Sequence, residues 1–140
     1  MEKEALVLDA SVIVKWFCEE EYTDIALGLR QRFLTGSIIV VVPELMFYEV
    51  TNAIRYNNVL SLEEKVGLID DILSLGFDVV PSNSAILSAA MKSALDTGTP
   101  IYDNVYLAVG RFKRCPLITA DKAFREKVGT EEVLFIGELE

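Results

Sequence analysis

The chain contains no histidine among its 140 residues, and this absence removes several catalytic mechanisms. Ser-His-Asp and Cys-His sites both need an imidazole base, so neither can operate here. Proton transfer would have to use carboxylates, lysine, tyrosine or metal-bound water. The two cysteines, Cys18 and Cys115, do not form a Cys-x-x-Cys pair. We therefore expect reduced, packed thiols rather than a zinc site or a redox motif.

Long apolar segments are also missing. No run approaches the roughly 18 apolar residues that a membrane-spanning helix needs. The first residues, MEKEALVLDAS, do not have the pattern of a secretory signal, so we predict a cytoplasmic protein with no membrane partner. The length suits a single domain over residues 1–140. Hydrophobic residues make up 51% of the chain, and we expect a partner to cover part of that apolar surface.

Basic residues are few. The chain has 13 lysines and arginines against 22 acids, a formal net charge of −9, which at face value argues against binding of nucleic acid. The distribution is uneven, because the segment 111–127 is rich in lysine and arginine and holds only Asp121 and Glu126 as acids. Two interpretations of this segment stay open: an ordinary solvated helix face, or a basic rim beside an acidic site.

Short apolar runs alternate with helical patterns, and this alternation predicts an α/β fold. The pattern of buried strands is found at 5–9, 38–42, 77–80, 116–119 and 133–136. Helices are predicted over 11–18, 19–35, 44–57, 61–75, 84–96, 102–111 and 122–128. Ser11 is expected to cap the first helix, and Ser61 and Glu64 form a capping box at the fourth. We expect a parallel sheet covered on both faces, with chemistry at the carboxyl ends of its strands.

Four carboxylates stand near the ends of these apolar runs: Asp9, Glu49, Asp103 and Asp121. If the fold gathers them, each pair about 4 Å apart would repel by about 4 kcal/mol at an effective dielectric constant of about 20. Several such pairs would rival the roughly 5–15 kcal/mol that stabilises a whole domain. The cluster would need a divalent cation or raised carboxyl pKa values. Oxygen ligands in a chain without histidine favour Mg²⁺ or Mn²⁺ and indicate metal-assisted phosphodiester chemistry.

Each acid also has a structural alternative. Asp9 and Asp121 each come between a strand and a helix, so either could be only an N-cap. Asp103 could accept hydrogen bonds from the free N–H groups of a first helical turn. Glu49 lies in the middle of a helix at the border of its apolar stripe. No residue on that helix would satisfy a buried carboxylate there, which favours a functional role for Glu49.

The order of VLDASVIVKWF, PELMFYEVTNAI, YDNVYLAV and LITADKAF resembles the PIN-domain nucleases, especially the VapC-like toxins, over nearly the whole chain. The resemblance implies a three-layer α/β/α fold around a central parallel five-stranded sheet. It matches Asp9, Glu49, Asp103 and Asp121 to the family's catalytic and metal-binding acids. The implied activity is cleavage of RNA with Mg²⁺ or Mn²⁺. The implied protein partners are an inhibitory antitoxin and a second copy of the chain in a homodimer.

Further residues follow from the same resemblance. Polar positions that support the acidic site in the family correspond to Ser11, Asn52 and Thr119, and Thr119 could orient Asp121. At Asn104 the chain departs from the family's usual small residue, and this amide could orient a ligand or contact the substrate. The basic residues that could receive phosphates flanking the cut are Arg111, Lys113, Lys122 and Arg125. Metal-activated water is the predicted nucleophile, which would leave a 5′-phosphate and a 3′-hydroxyl.

Three alternatives to a toxin ribonuclease stay open. The chain could be an RNA-processing enzyme without a toxin role, or a binding protein that kept the fold and lost catalysis. The third is a phospho-accepting receiver domain, which shares the α/β fold and the acids. Receiver chemistry needs a pair of acids after the first strand and a lysine after the fifth. The chain has a single Asp9 and the segment FIGELE at those places, so this alternative fits poorly.

Overall fold

A computed structural model describes residues 3–139 of the chain. Its five strands are β1 (Glu4–Leu8), β2 (Ile38–Pro43), β3 (Asp78–Val80), β4 (Leu117–Thr119) and β5 (Val133–Phe135). They form one sheet in the order β3-β2-β1-β4-β5, and every neighbouring pair is parallel. The predicted parallel five-stranded sheet is confirmed.

The helices between these strands also follow the predicted order. They are α1 (Ala10–Ile13), α2 (Thr23–Leu34), α3 (Leu45–Arg55), α4 (Leu62–Ser74), α5 (Ser84–Thr97), α6 (Ile101–Lys113) and α7 (Lys122–Val128). Short 3₁₀ turns follow α1 at Val14–Trp16 and β5 at Ile136–Glu138. The capping box at Ser61 and Glu64 is present at the start of α4.

Two helix starts differ from the prediction. The cap of α1 is Asp9, whose Oδ1 accepts the Ser11 N–H at 3.0 Å, so the prediction that Ser11 caps this helix is wrong. The second helix begins at Thr23 and not at residue 19. Tyr22 has a left-handed backbone, with φ of 64°, which interrupts the helical path before α2.

The sheet lies between two groups of helices, as an α/β/α fold requires. Helix α6 packs on β1, β2 and β4, and α5 packs on α6. Helix α1 contacts α3 and β1, and both α2 and α3 contact β2. The seven consecutive residues 104–110 of α6 are all buried. Glycine is required at position 110, in the last turn of α6, because a Cβ there would lie 2.9 Å from the Cys115 carbonyl oxygen. Among residues 3–139, no helix combines the length and apolarity needed to cross a bilayer.

The strand order sets where polar residues can meet. Strand β1 is central and pairs with β4 in the register Leu8 to Ile118, so both strands end at the same edge of the sheet. The Asp9 N–H donates to the Ile118 carbonyl at 3.3 Å and extends this pairing by one residue. The segments that follow the two strands therefore start side by side. We call this edge, where the carboxyl ends of the strands lie, the acidic edge.

Candidate active site

Asp9 and Asp121 stand at the acidic edge as helix caps. Asp9 directly follows β1 and caps α1, and Asp121 follows β4 and caps α7, where its Oδ1 accepts the Phe124 N–H at 2.9 Å. Both acids are therefore N-caps, as the structural alternative predicted. Each cap contact uses one carboxylate oxygen. Because each residue lies between the end of a strand and the start of a helix, each also lies at the acidic edge.

Glu49 and Asp103 reach the same region from helices. Glu49 lies on α3, which follows β2, and its Oε1 accepts a hydrogen bond from the Tyr106 hydroxyl at 2.6 Å. Asp103 lies in the first turn of α6, and its side chain is half-buried. In the described residues no hydrogen bond from the first turn of α6 to the Asp103 carboxylate is present, so the structural alternative for this acid lacks support.

Mutual repulsion among the four carboxylates contributes to the raised pKa values of three of them. Burial raises the pKa of Asp9 from 3.8 to about 6, against hydrogen bonds from Ser11 and Thr119, and the charge of Glu49 raises it further. Burial also raises the pKa of Asp103 to about 6, with added repulsion from Asp9 and Asp121. The pKa of Glu49 is raised by burial and by Asp103, while the Tyr106 hydrogen bond opposes this shift.

No basic side chain of the described residues lies within ion-pair distance of these carboxylates. None of the ion pairs within residues 3–139 includes any of the four acids. Within the same residues, no group of three or more acidic or cysteine side chains is placed so that it could hold a metal ion. Mg²⁺ keeps several waters when it binds to proteins, so a looser set of carboxylates suits it. The carboxylate donors and their uncompensated repulsion therefore fit Mg²⁺ or Mn²⁺.

Two hydroxyls connect the acids from β1 and β4. Ser11 donates from Oγ to Asp9 Oδ1, and the same Oγ accepts the Ala120 N–H at 3.0 Å. Thr119 is fully buried beside Asp9, and its Oγ1 accepts the Asp121 N–H at 3.0 Å. Thr119 therefore holds the backbone of Asp121, where the sequence suggested contact with its carboxylate. Both residues fix the loop that presents Asp121 relative to Asp9.

Comparison with protein-family models identifies the family of this chain. The model of the PIN domain matches residues 6–129, a span that includes all four acids. The chain belongs to the PIN domain family. A search of curated proteins gave no significant match.

Solved structures agree with this assignment at the level of the fold. A structure described as a toxin-antitoxin complex from Klebsiella pneumoniae is 14% identical with a TM-score of 0.71, covering 96% of this PIN domain and 99% of its counterpart. FitAcB from Neisseria gonorrhoeae is 12% identical with a TM-score of 0.74 over 96% and 99% of the two chains. PAE2754 from Pyrobaculum aerophilum is 21% identical with a TM-score of 0.64, over 98% and 93%.

Two predicted supporting residues lie elsewhere in the PIN domain. Asn104 is fully buried, and its amide donates to the Thr99 hydroxyl and the Pro100 carbonyl, each at 2.7 Å, while its oxygen accepts from Ser93. These contacts join α5 to the start of α6, so the prediction that Asn104 orients a ligand or contacts substrate is wrong. Asn52 is exposed on α3 and makes no hydrogen bond with an acid among the described residues.

The basic residues of the predicted RNA-binding set do not form one surface. Arg111 pairs with Glu132 at 2.8 Å, and Lys113 pairs with Asp78 at 3.2 Å. Glu132 precedes β5 and Asp78 begins β3, so both pairs lie at the amino ends of the strands, away from the acidic edge. Arg111 stands about 12 Å along α6 from Asp103, at about 1.5 Å per residue. The sequence-based prediction that Arg111 and Lys113 receive phosphates beside the acids is therefore wrong.

Lys122 and Arg125 lie on α7, which starts at the acidic edge. Arg125 directs both terminal nitrogens to Glu138, with Nη1 2.7 Å from Oε2, so its charge is already paired. Lys122 is exposed next to Asp121 and has no ion pair among residues 3–139. Of the predicted set, only Lys122 is both near the acids and available to a phosphate.

Sequence reasoning missed Tyr106 as a polar partner of the site. The residue lies one turn after Asp103, and the sequence pattern assigns it to the apolar face of α6. A buried tyrosine hydroxyl usually needs a hydrogen-bond partner, and this requirement was the available signal. The partner is the Glu49 carboxylate, 57 residues away in sequence. Burial and the charge of Glu49 raise the pKa of Tyr106, so its hydroxyl stays protonated and acts as a donor.

Proposed function

We propose that this PIN domain is an endoribonuclease that depends on a divalent metal ion, and that it acts as the toxin of a toxin-antitoxin pair. Membership of a nuclease family supports the general activity. The observation that carries the proposal is the gathering of Asp9, Glu49, Asp103 and Asp121 without a basic side chain of the described residues to offset them. Clustered carboxylates with raised pKa values are typical of sites that bind a cation or carry out chemistry on a substrate.

The acids divide between holding the cation and orienting water. Asp9, Asp103 and Asp121 would hold Mg²⁺ or Mn²⁺. Asp9 and Asp121 are fixed as helix caps, and the charges of both raise the pKa of Asp103. A bound cation would supply an activated water and would stabilise negative charge at the phosphate. Glu49 would accept a proton from that water, because burial raises the pKa of its carboxylate.

Substrate contact would use the start of α7. Lys122 stands directly after Asp121 and could bind a phosphate that flanks the cut. The overall charge of −9 disfavours RNA elsewhere on the surface, so binding would be local and sensitive to salt. Hydrolysis by water needs no ribose 2′-hydroxyl, and the products would carry 5′-phosphate and 3′-hydroxyl ends.

The activity can be tested with purified protein and a panel of structured and single-stranded RNAs, each with Mg²⁺, Mn²⁺ or EDTA, and with DNA of the same sequences. We expect cleavage of one or a few RNAs with metal and none with EDTA. Asp71→Asn is a matched control, because Asp71 is exposed on α4. Cleavage that persists in EDTA, or cleavage of DNA alone, would contradict the proposal.

An apolar groove on the surface is a candidate docking surface for the proposed antitoxin. It lies between α3 and α4, has a volume of about 370 Å³, and is lined by Phe47, Tyr48, Thr51, Ile69, Ile72, Leu73 and Glu44. An antitoxin segment could place apolar side chains in this groove and a basic side chain against the acids. The similar structures from Klebsiella pneumoniae and from Salmonella typhimurium are described as a toxin-antitoxin complex and a DNA-bound VapBC complex.

A growth assay separates a toxin from an RNA-processing enzyme. Induction of the wild-type chain should arrest growth, and induction of Asp103→Asn should not. Co-expression of a small protein encoded by a neighbouring reading frame should restore growth. Normal growth after induction of a soluble, active wild-type protein would support the processing enzyme instead.

The proposed homodimer would use the outer face of α5. Leu87, Met91 and Leu95 recur every four residues on this face and are 46%, 53% and 77% exposed. The opposite face of α5 packs on α6, so this stripe has no partner among the described residues. The stripe accounts for part of the apolar excess in the composition.

A further inference from the structure

Tyr106 connects the helix that carries Asp103 to the Glu49 carboxylate on α3. Its side chain is 1% exposed, and it lies on α6 one turn after Asp103. Its hydroxyl donates to Glu49 Oε1 at 2.6 Å, across to α3. One buried hydroxyl on α6 therefore contacts an acid on α3.

Glu49 depends on this contact for its orientation. Among residues 3–139, Tyr106 is the one side chain that donates a hydrogen bond to the Glu49 carboxylate. A glutamate side chain has three rotatable bonds, and without a donor its carboxylate would sample several rotamers. With Oε1 bound to the tyrosine, Oε2 is the oxygen left for a water or an ion. The distance of 2.6 Å is typical of a strong hydrogen bond from a hydroxyl to a carboxylate.

We propose that Tyr106 is a positioning residue that holds Glu49 Oε1 and thereby fixes the orientation in which Glu49 Oε2 serves the metal and the attacking water. The proposal rests on the ribonuclease function proposed above and adds to it a residue outside the acidic set. Tyr106 itself is too deeply buried to contact RNA. Its effect must therefore pass through Glu49, in the way that outer hydrogen-bond partners orient metal ligands in other proteins.

The variant that tests this role is Tyr106→Phe, which keeps the ring and its packing and removes only the hydroxyl. Removal of an outer hydrogen-bond partner typically weakens metal affinity or activity by about 10–100-fold. We expect a loss of that size in Mn²⁺ affinity, measured by calorimetry without RNA, and a similar loss in kcat. The KM for RNA should not change, because the substrate does not reach Tyr106. Tyr56→Phe is the matched control, since Tyr56 is 66% exposed at the end of α3.

A double-mutant cycle with Glu49→Ala separates positioning from a general effect on the fold. If Tyr106 acts through Glu49, Tyr106→Phe should cause no further loss of Mn²⁺ affinity in the Glu49→Ala protein. A structural role alone would lower the melting temperature in both backgrounds and leave Mn²⁺ affinity unchanged.

The outcomes distinguish this inference from the proposed function. Wild-type protein that neither binds Mn²⁺ nor cleaves RNA would overturn both. Wild-type protein that does both, together with Tyr106→Phe of unchanged Mn²⁺ affinity, would overturn the role of Tyr106 alone. An equal loss of affinity from Tyr106→Phe with and without Glu49 would also overturn it, because the effect would then not pass through that carboxylate.

Discussion

The buried charge of Asp9 should make the metal-free protein less stable at neutral pH than its Asp9→Asn variant. Asp9 is 7% exposed, and burial raises its pKa from 3.8 to about 6. Between these two pH values the folded state holds a proton that the unfolded state has lost. The contribution of Asp9 to the free energy of unfolding is therefore most favourable below about pH 4 and is lost as the pH rises through 6.

The size of the effect follows from the same shift. A rise of about two pKa units at about 1.4 kcal/mol each corresponds to roughly 3 kcal/mol of stability lost above pH 6. Asparagine keeps an oxygen that can accept the Ser11 N–H, although it caps less strongly than a carboxylate. We therefore expect Asp9→Asn to stabilise the protein by about 1–3 kcal/mol at pH 7.5, or about 2–4 °C in melting temperature per kcal/mol.

Urea unfolding followed by circular dichroism, in EDTA and from pH 4 to 8, measures this difference. The two proteins should be nearly equal near pH 4 and should diverge as the pH rises through 6. Asp71→Asn, at an exposed position on α4, should show no such divergence. Saturating Mn²⁺ should stabilise the wild type by more than the variant, because ligand binding to the folded state adds to its stability. An Asp9→Asn protein no more stable than wild type at pH 7.5 would refute the reasoning.

Three further predictions concern the products, the substrate contact and the assembly. Cleaved RNA should be ligatable at its 5′-phosphate ends, and 2′,3′-cyclic phosphate ends would rule out attack by water. Lys122→Glu should weaken RNA binding and reduce the log–log salt slope by about one unit, whereas Lys113→Glu should leave the slope unchanged. An equal effect of both reversals would contradict the assignment of Lys122. Light scattering should give about twice 15.6 kDa for the wild type and a monomer for Met91→Glu. A wild-type monomer at micromolar concentration would remove the dimer.

The sequence was sufficient for the sheet and for the gathering of the acids because both depend on local patterns. The buried strands have continuous apolar runs, and parallel strands end at one edge, so Asp9 and Asp121 had to lie together. Glu49 and Asp103 could be placed because each borders an apolar helix face, although their role also depended on the family resemblance. The proposed metal-binding role of these acids stays a prediction.

Contacts between distant segments could not be predicted in this way. The hydroxyl of Tyr106 meets Glu49 only because α6 and α3 pack near one edge of the sheet. The basic residues near 111–127 formed one cluster in the sequence, but Arg111 turns to Glu132 and Arg125 to Glu138 at different places. Asn104 was assigned to the site because it follows Asp103 in sequence. Its side chain lies on the face of α6 that packs on α5, where it accepts a hydrogen bond from Ser93. Side-chain partners depend on packing that the strand and helix pattern does not specify.

The most direct test of the central claim measures Mn²⁺ affinity and RNA cleavage together in four isosteric variants. These variants are Asp9→Asn, Glu49→Gln, Asp103→Asn and Asp121→Asn, and each removes one charge while it keeps the shape of the side chain. If the four acids form one metal site, every variant should bind Mn²⁺ more weakly than wild type and cleave RNA at least tenfold more slowly, with its fold intact by circular dichroism. Full Mn²⁺ affinity and full cleavage in Asp9→Asn or Asp103→Asn would contradict the account.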